Sequence, residues 1–260
     1  MRLVTFNILN GRSPDDDQVD LSAFQDAIAS LDADVLALQE VDRNQPRSQH
    51  ADLTAAAAEA MGAADHRFVA ALNGSPGATW VAATGEEQPD AAAYGIALLS
   101  RHPVTSWEIV RLPALRTRVP MWFRGSRVPT MVGDEPRVGV AAHVEGPGGP
   151  LTVANTHLSF VPWWNRRQLR ALTGALTAAA RPLVLVGDLN MGPDRARSIT
   201  GMRSLVTAPT FPAQRPCLQL DHVLADGPLE VAHAEARRLP LSDHRALVVD
   251  LDLATPAESA

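Results

Sequence analysis

No lysine occurs in the 260 residues; all 23 basic side chains are arginine. That absence removes Schiff-base lysines, phosphate-loop lysines and Ser-Lys dyads from the available chemistry. A single cysteine, Cys217, excludes an intrachain disulfide and is compatible with a reducing compartment. No apolar run approaches the ~20 residues that span a bilayer. Met1 to Asn10 is too short and too interrupted by polar groups for a secretory signal. The expectation is a soluble, cytoplasmic protein. There is no Gly-x-Gly-x-x-Gly, which argues against a simple dinucleotide-binding sheet. No Gly/Ser linker or long polar tract divides the chain, so the reading is one domain over residues 1–253 and a disordered tail over 254–260. The net charge of −6 argues against non-specific coating of nucleic acid and leaves room for an enzyme with a local basic rim.

What is present is a hydrophobic fraction of 46%, ample for a core, arranged mostly as short strand-like runs. Strands are expected at Leu3–Ile8, Asp34–Gln39, Arg67–Leu72, Thr79–Ala83, Tyr94–Leu99, Val104–Val110, Val138–Val144 and Leu151–Thr156. Further strands are expected at Leu183–Val186, Leu218–Leu224, Leu229–Ala234 and Ala246–Leu251. Asp20 can cap a helix carrying Leu21, Phe24, Ile28 and Leu31, and Gly62 can stop an alanine-rich helix over Leu53–Met61. A third helix is expected at about Asn165–Ala179. Many strands with few helices fit two mixed sheets packed face to face with helices outside. Leu112 to Pro136, rich in Pro, Arg and aromatics, reads as an irregular insertion.

Several of these runs stop on polar side chains. Glu40 closes Asp-Val-Leu-Ala-Leu-Gln-Glu and Asp188 closes Leu-Val-Leu-Val-Gly-Asp, two buried strands delivering carboxylates from distant parts of the chain. Asn7, His157, Asn190, Asp221, Asp243 and His244 occupy comparable positions. A hard cation such as Mg²⁺ takes one or two carboxylates and leaves room for water and phosphate, and Glu40 with Asn7 is that kind of sparse oxygen site. Asp188 is a candidate base or water orienter, and Asn190 a donor to a phosphate oxygen. His157 and His244 can supply protons, with nearby carboxylates expected to keep both protonated.

In order, Thr-Phe-Asn-Ile, Leu-Gln-Glu-Val-Asp, Tyr-Gly-Ile-Ala-Leu-Leu-Ser-Arg, Asn-Thr-His-Leu, Gly-Asp-Leu-Asn, Leu-Asp-His-Val and Ser-Asp-His-Arg run through residues 1–252. This series resembles the endonuclease/exonuclease/phosphatase superfamily of DNase I-like nucleases, abasic-site endonucleases, neutral sphingomyelinases and inositol polyphosphate 5-phosphatases. The resemblance implies a four-layer α/β sandwich (α+β) and a divalent metal, Mg²⁺ or Mn²⁺. It implies Glu40 as principal metal ligand, Asn7 beside it on metal or phosphate, and Asp243 near the metal. Asp188 would direct the attacking water, Asn190 would stabilise the pentavalent phosphate, and His244 would contact phosphate with Asp221 orienting it. His157 matches an acid or phosphate donor of nuclease-like and sphingomyelinase-like members, and Tyr94 sits where some members contact phosphate. The general acid stays open between His157, His244 and metal-bound water.

Two aromatic-basic patches, Met121-Trp122-Phe123-Arg124 and Trp163-Trp164-Asn165-Arg166-Arg167, suit stacking on bases, holding phosphates, or a lipid interface. Trp164 and Arg166 are the candidate substrate contacts. His222 is expected to pack, His143 to be a core histidine, and Arg43 and Arg47 to lie in a solvated loop. The expected activity is hydrolysis of a phosphodiester by activated water on a nuclease-like substrate. A sphingomyelinase-like or small phosphoester hydrolase, acting on a lipid headgroup or small molecule, and a non-catalytic phosphate-binding module are the alternatives.

Overall fold

The computed structural model describes residues 1–115, 117–122 and 128–252. The strands are β1 Arg2–Asn7, β2 Val35–Arg43, β3 Asp65–Gly74, β4 Trp80–Ala82, β5 Ala93–Ser100, β6 Val104–Arg111, β7 Val119–Met121 and β8 Thr130–Val132. They continue with β9 Val138–Gly146, β10 Gly149–His157, β11 Leu183–Asp188, β12 Arg203–Ser204, β13 Asp221–Asp226, β14 Glu230–Arg237 and β15 Ala246–Asp252. The helices are α1 Leu21–Leu31, α2 Leu53–Met61, α3 Pro162–Ala175 and α4 Pro193–Thr200. One sheet runs β14-β15-β1-β2-β5-β3-β4, the other β12-β13-β11-β10-β9-β6, and β7 and β8 form a separate hairpin.

Side-chain alternation builds the layers. Leu3 and Thr5 of β1 face inward while Val4 and Phe6 face outward, and β10 and β11 divide their residues the same way. The inward set from both sheets, including Leu3, Val35, Leu98, Val153, Val184 and Val249, forms one apolar cluster. The outward set of the first sheet meets Phe24, Ile28 and Leu31 of α1 and Leu53 and Met61 of α2. The outward set of the second meets Leu169 and Leu172 of α3 and Ala196 of α4. Three apolar interlayers make a four-layer α/β sandwich. Each sheet carries a central parallel pair, β1 with β2 and β10 with β11, whose carboxyl ends lie at one end of the sandwich. Open α/β sheets place ligands in such crevices.

The helices begin and stop where local chemistry directs. Asp20 accepts from the Ser22 and Ala23 N–H groups, and Asp52 does the same for Thr54 and Ala55. Gly62 ends α2 in the left-handed conformation. Helix α3 starts three residues before the expected Asn165, because Pro162 at its first position needs no N–H partner. Helix α4 escapes the sequence pattern because Ala196 is its only buried residue. The expected Leu218–Leu224 strand begins only at Asp221, with Leu218 bridged to Phe211 instead. The insertion contains the β7–β8 hairpin. Arg116, the Phe123–Arg127 part of the aromatic-basic insertion and the expected 254–260 tail lie outside the described residues. Among the described residues no helix is long and apolar enough to cross a membrane.

β2 departs from its expected end. It does not stop at Glu40 but runs on to Arg43, with a bulge between Leu38 and Val41 where Gln39 and Glu40 oppose one residue of β5. Strict alternation would send Glu40 to the helix side. The bulge, with Glu40 at φ 56°, returns its carboxylate to the inner face beside Asn7. Asn155 of β10 crosses between the sheets to donate to the carbonyls of Leu38 and Ala97 at 2.9 and 2.8 Å. Its own carbonyl accepts from Gln39 Nε2 at 2.7 Å, and Gln39 also donates to Thr5 Oγ1. Gln39, Asn155 and Thr5 are all fully buried. Replacing Asn155 by Ala removes the side-chain donors from the Leu38 and Ala97 carbonyls and one acceptor from Gln39 in a dry interface, where a buried group left unsatisfied costs about 1–3 kcal/mol. Asn155→Ala is therefore expected to lose about 2–4 kcal/mol of stability in urea denaturation, well beyond the effect of a surface alanine substitution.

Candidate active site

Three strands of the second sheet bring their polar ends into line. His157 of β10 is in register with Asp188 of β11, which is in register with Asp221 of β13. β10 and β11 approach closely at Gly187, where a Cβ would stand 1.9 Å from the Thr156 carbonyl oxygen and φ is 129°, so only glycine fits. After Asp188 the chain turns: its Oδ1 accepts from the Asn190 N–H at 2.9 Å, and Asn190 sits at φ 50°, which asparagine tolerates. From the first sheet, Asn7 Nδ2 donates to Glu40 Oε1 at 3.0 Å and to Asp188 Oδ2 at 3.1 Å, joining the two carboxylates across the crevice. The Ser-Asp-His loop is fastened by Ser242, whose hydroxyl donates to the Asn7 carbonyl at 2.6 Å and accepts from the His244 N–H at 3.0 Å. His244 then places Nδ1 on Asp221 Oδ2 at 2.8 Å and Nε2 3.8 Å from Asp188 Oδ2.

The structure thus brings Asn7, Glu40, His157, Asp188, Asn190, Asp221 and His244 together. Asp243 makes no side-chain hydrogen bond among the described residues, but its charge bears on both Glu40 and His244. Trp164 is not joined to this cluster; its indole N–H donates to Pro113 O at 3.1 Å and Arg167 stacks on its ring. Its neighbour Trp163 is the exposed member of the pair. His222 is buried and engages Met191 O through Nε2, and half-buried His143 contacts Thr152 and Glu145.

Four residues have places beside the site that the sequence did not reveal. Arg137, buried just before β9, puts Nη1 3.1 Å from His157 Nδ1 and Nη2 near Asp134 and Glu135 at 3.5 and 3.8 Å. Its only signal is a place one residue before a strand antiparallel to that of His157, which pairing alone reveals. Arg47, its side chain 35% exposed, does more than sit in solvent: it forks onto the fully buried Asp42 at 2.7 and 2.8 Å and covers the ring of Tyr94. Trp80 packs against Tyr94 and donates to Glu135, completing a wall beside Glu40. Asn10 donates to the Glu40 carbonyl and to Asp42, holding the bulge.

Burial and charge set different protonation states. Burial pushes the Asp188 carboxyl up to about 7, with Asp221 adding to it and His244 opposing. Burial and the proximity of Asp243 raise Glu40, against the Asn7 hydrogen bond and the Arg137 and His244 charges. Burial alone would lower His244, but Asp221, then Asp188 and Asp243, raise it to about 10. His157 departs from expectation. Burial and the adjacent Arg137 charge hold it well below the ordinary histidine range, so it is neutral rather than protonated. With Arg137 donating to Nδ1, its proton resides on Nε2, facing Asp188 Oδ2 at 3.6 Å. The Asn190 amide nitrogen then donates to Leu158 O at 3.0 Å. Burial and Glu40 hold the Tyr94 hydroxyl protonated, far above its ordinary range.

Buried carboxylates with too few cations are what a hard divalent ion neutralises. Glu40 and Asp188 converge on one neutral amide, and Asp221 Oδ1 is buried without a partner. Donor atoms of Asp188, Asp221 and His244 lie within 4.8 Å of one another. Within that trio the protonated His244 already serves as the cation, so Glu40 is the better-suited carboxylate. The residues fit a divalent metal.

A four-layer sandwich with carboxylates, amides and imidazoles converging at one end defines the phosphoesterase class of this architecture. The chain belongs to the endonuclease/exonuclease/phosphatase family, whose sequence profile matches residues 4–244. An endonuclease/exonuclease/phosphatase from Beutenbergia cavernae superposes with a TM-score of 0.71 at 23% identity, over 96% of this chain and 71% of that one. A mannosyl-6-phosphatase from Bacteroides thetaiotaomicron gives 0.63 at 15% identity, over 97% and 99%. Beta toxin from Staphylococcus aureus gives 0.59 at 14%, over 96% and 99%. No curated protein matches the chain.

The His244–Asp221 pair has a defined pH signature. Because the folded pKa of about 10 lies above the ordinary 6.5, its stabilisation is complete below about pH 6.5 and lost as pH rises through 10. In thermal melts with EDTA, the advantage of the wild type over His244→Gln is expected to shrink steadily from pH 6 to pH 10. A constant difference across that range would contradict the ion pair.

Proposed function

We propose that the protein hydrolyses phosphodiesters with a divalent metal, Mg²⁺ or Mn²⁺, and that its substrate is a nucleic-acid strand. The observation that carries this reading is the meeting at Asp188 Oδ2 of groups from both sheets, Asn7 at 3.1 Å, His157 at 3.6 Å and His244 at 3.8 Å. Glu40 would hold the metal, with Asn7 orienting its carboxylate and Asp243 adding negative charge nearby. When bound, the ion supplies Lewis-acid stabilisation of phosphoryl oxygens.

Asp188, with a pKa of about 7, is matched to taking a proton from water near neutral pH. The turn ties Asn190 to Asp188, and its side-chain amide would serve as a donor to the phosphate as negative charge develops. His244, kept protonated by Asp221, donates to the phosphate and is the acid that returns a proton to the leaving oxygen. Arg137 adds a buried positive charge while keeping His157 neutral. The retained Tyr94 proton provides a further donor on the Glu40 side.

A second reading, hydrolysis of a compact phosphoester, draws on the closed wall of Arg47, Trp80 and Tyr94 and on the shared fold with a mannosyl-6-phosphatase. Bis-p-nitrophenyl phosphate, single- and double-stranded oligonucleotides, sphingomyelin and sugar phosphates, each with Mg²⁺, Mn²⁺ or EDTA, separate the two. On the preferred substrate, Glu40→Gln and His244→Ala are each expected to lower kcat/KM by about 10²–10⁴-fold. Unchanged turnover by both would overturn the assigned site. No cleavage of any phosphoester would leave a phosphate-binding module.

A further inference from the structure

A groove of about 650 Å³ lies between α3 and α4, outside the catalytic cluster. Arg166 and Arg170 line it from α3 and Arg195 from α4, with Gly192, Pro193 and Ser198 completing the floor. Among the described residues none of these three arginines has an ion-pair partner, whereas eight other arginines do. The carboxylate on the rim, Asp194, has a 97% exposed side chain turned to Arg197 at 3.3 Å. Arg166 Nε is buried without an acceptor.

The placement is electrostatically adverse for the folded chain. Arg166 and Arg170 are one turn apart on the same face, a like-charge pair that costs a few tenths of a kcal/mol. Arg195 also lies in the first turn of α4, which it shares with Asp194, where the peptide dipoles favour anions, and α3 below Arg166 has no acid in its first turn. The like-charge penalty reverses when phosphate enters. Trp163, 53% exposed, falls on the Arg166–Arg170 stripe at i, i+3 and i+7, so an aromatic face adjoins the charges.

The groove neighbours the site along the chain. Asn165 Nδ2 donates to Asn190 O at 2.8 Å, and Gly192 follows Asn190 by two residues, at most about 7.6 Å of chain. We infer that this groove is a subsite for the sugar-phosphate backbone of a single nucleic-acid strand, its arginines holding phosphates beyond the scissile one and Trp163 stacking a base. The inference rests on the nucleic-acid reading of the function, yet binding can be measured without turnover.

The test is fluorescence polarisation of a fluorescein-labelled single strand of about 12 nucleotides in EDTA, between roughly 50 and 200 mM KCl. Losing two phosphate contacts in Arg170→Gln/Arg195→Gln should flatten the slope of log Kd against log salt by about 1.4 and weaken binding about tenfold or more. Arg170→Lys/Arg195→Lys should restore the slope, and Trp163→Ala should weaken binding with the slope unchanged. Turnover of bis-p-nitrophenyl phosphate, too small to reach the groove, should stay within about twofold in Arg170→Gln/Arg195→Gln. An unchanged slope, or no strand binding by the wild type at low salt, overturns the subsite. So does arginine-dependent binding to phosphatidylglycerol vesicles in place of the strand. Strand binding with the expected slope loss but no phosphoester cleavage upholds the groove and sinks the catalytic reading.

Discussion

Asn155 reaches out of one sheet and donates to two carbonyls of the other, at the bulge where β2 turns Glu40 inward. Away from there and from the polar crevice, the sheets meet largely through aliphatic side chains, which tolerate sliding because apolar contact is non-directional. A buried amide with its partners satisfied tolerates none, since every displacement leaves polar groups dry and unpaired. The latch fixes how the first sheet, carrying Asn7 and Glu40, stands against the second, carrying His157, Asp188 and Asp221.

With that relation fixed, charge is distributed in pairs rather than scattered. Asp221 is committed to His244 and keeps it protonated; Arg137 is committed to His157 and keeps it neutral. Two histidines of the same kind therefore enter the crevice in opposite states. Asp42 is spent on Arg47, which becomes part of the wall against Tyr94. Glu40 and Asp188 remain, bridged by the amide of Asn7, and in the proposed function they are the carboxylates that serve metal and water.

The groove beside α4 follows a related logic at the surface. In a net negative chain, eight arginines among the described residues pair with carboxylates, while the three around the depression next to Asn190 do not. The aromatic-basic run read at residues 163–167 divides in space: Trp164 and Arg167 stack on each other, while Trp163 is exposed and Arg166 lines the groove. Helical spacing separates neighbours in sequence onto different faces.

Much of the framework was legible in the chain because it depends on local patterns. Alternation located the central strands, Asp20 and Gly62 marked helix ends, and polar residues closing buried runs gave Asn7, Glu40, Asp188 and His244. Helix α4 was missed for want of an apolar stripe, and the β2 bulge because period-two alternation carries no mark of an inserted residue. Arg137, Arg47 and Asn155 were beyond reach for a different reason. Beside nearby carboxylates, the contacts that tie the two arginines to the site, and those of Asn155, lie 20, 47 and 58 or more positions away, as with His157 for Arg137, Tyr94 for Arg47 and Ala97 for Asn155. The sequence by itself determined which strands form, which faces are apolar and which side chains stand at their ends. Only the tertiary structure decided which of those ends meet, which histidine keeps its proton and which arginines remain unpaired, because protonation and pairing depend on distance through a dry interior.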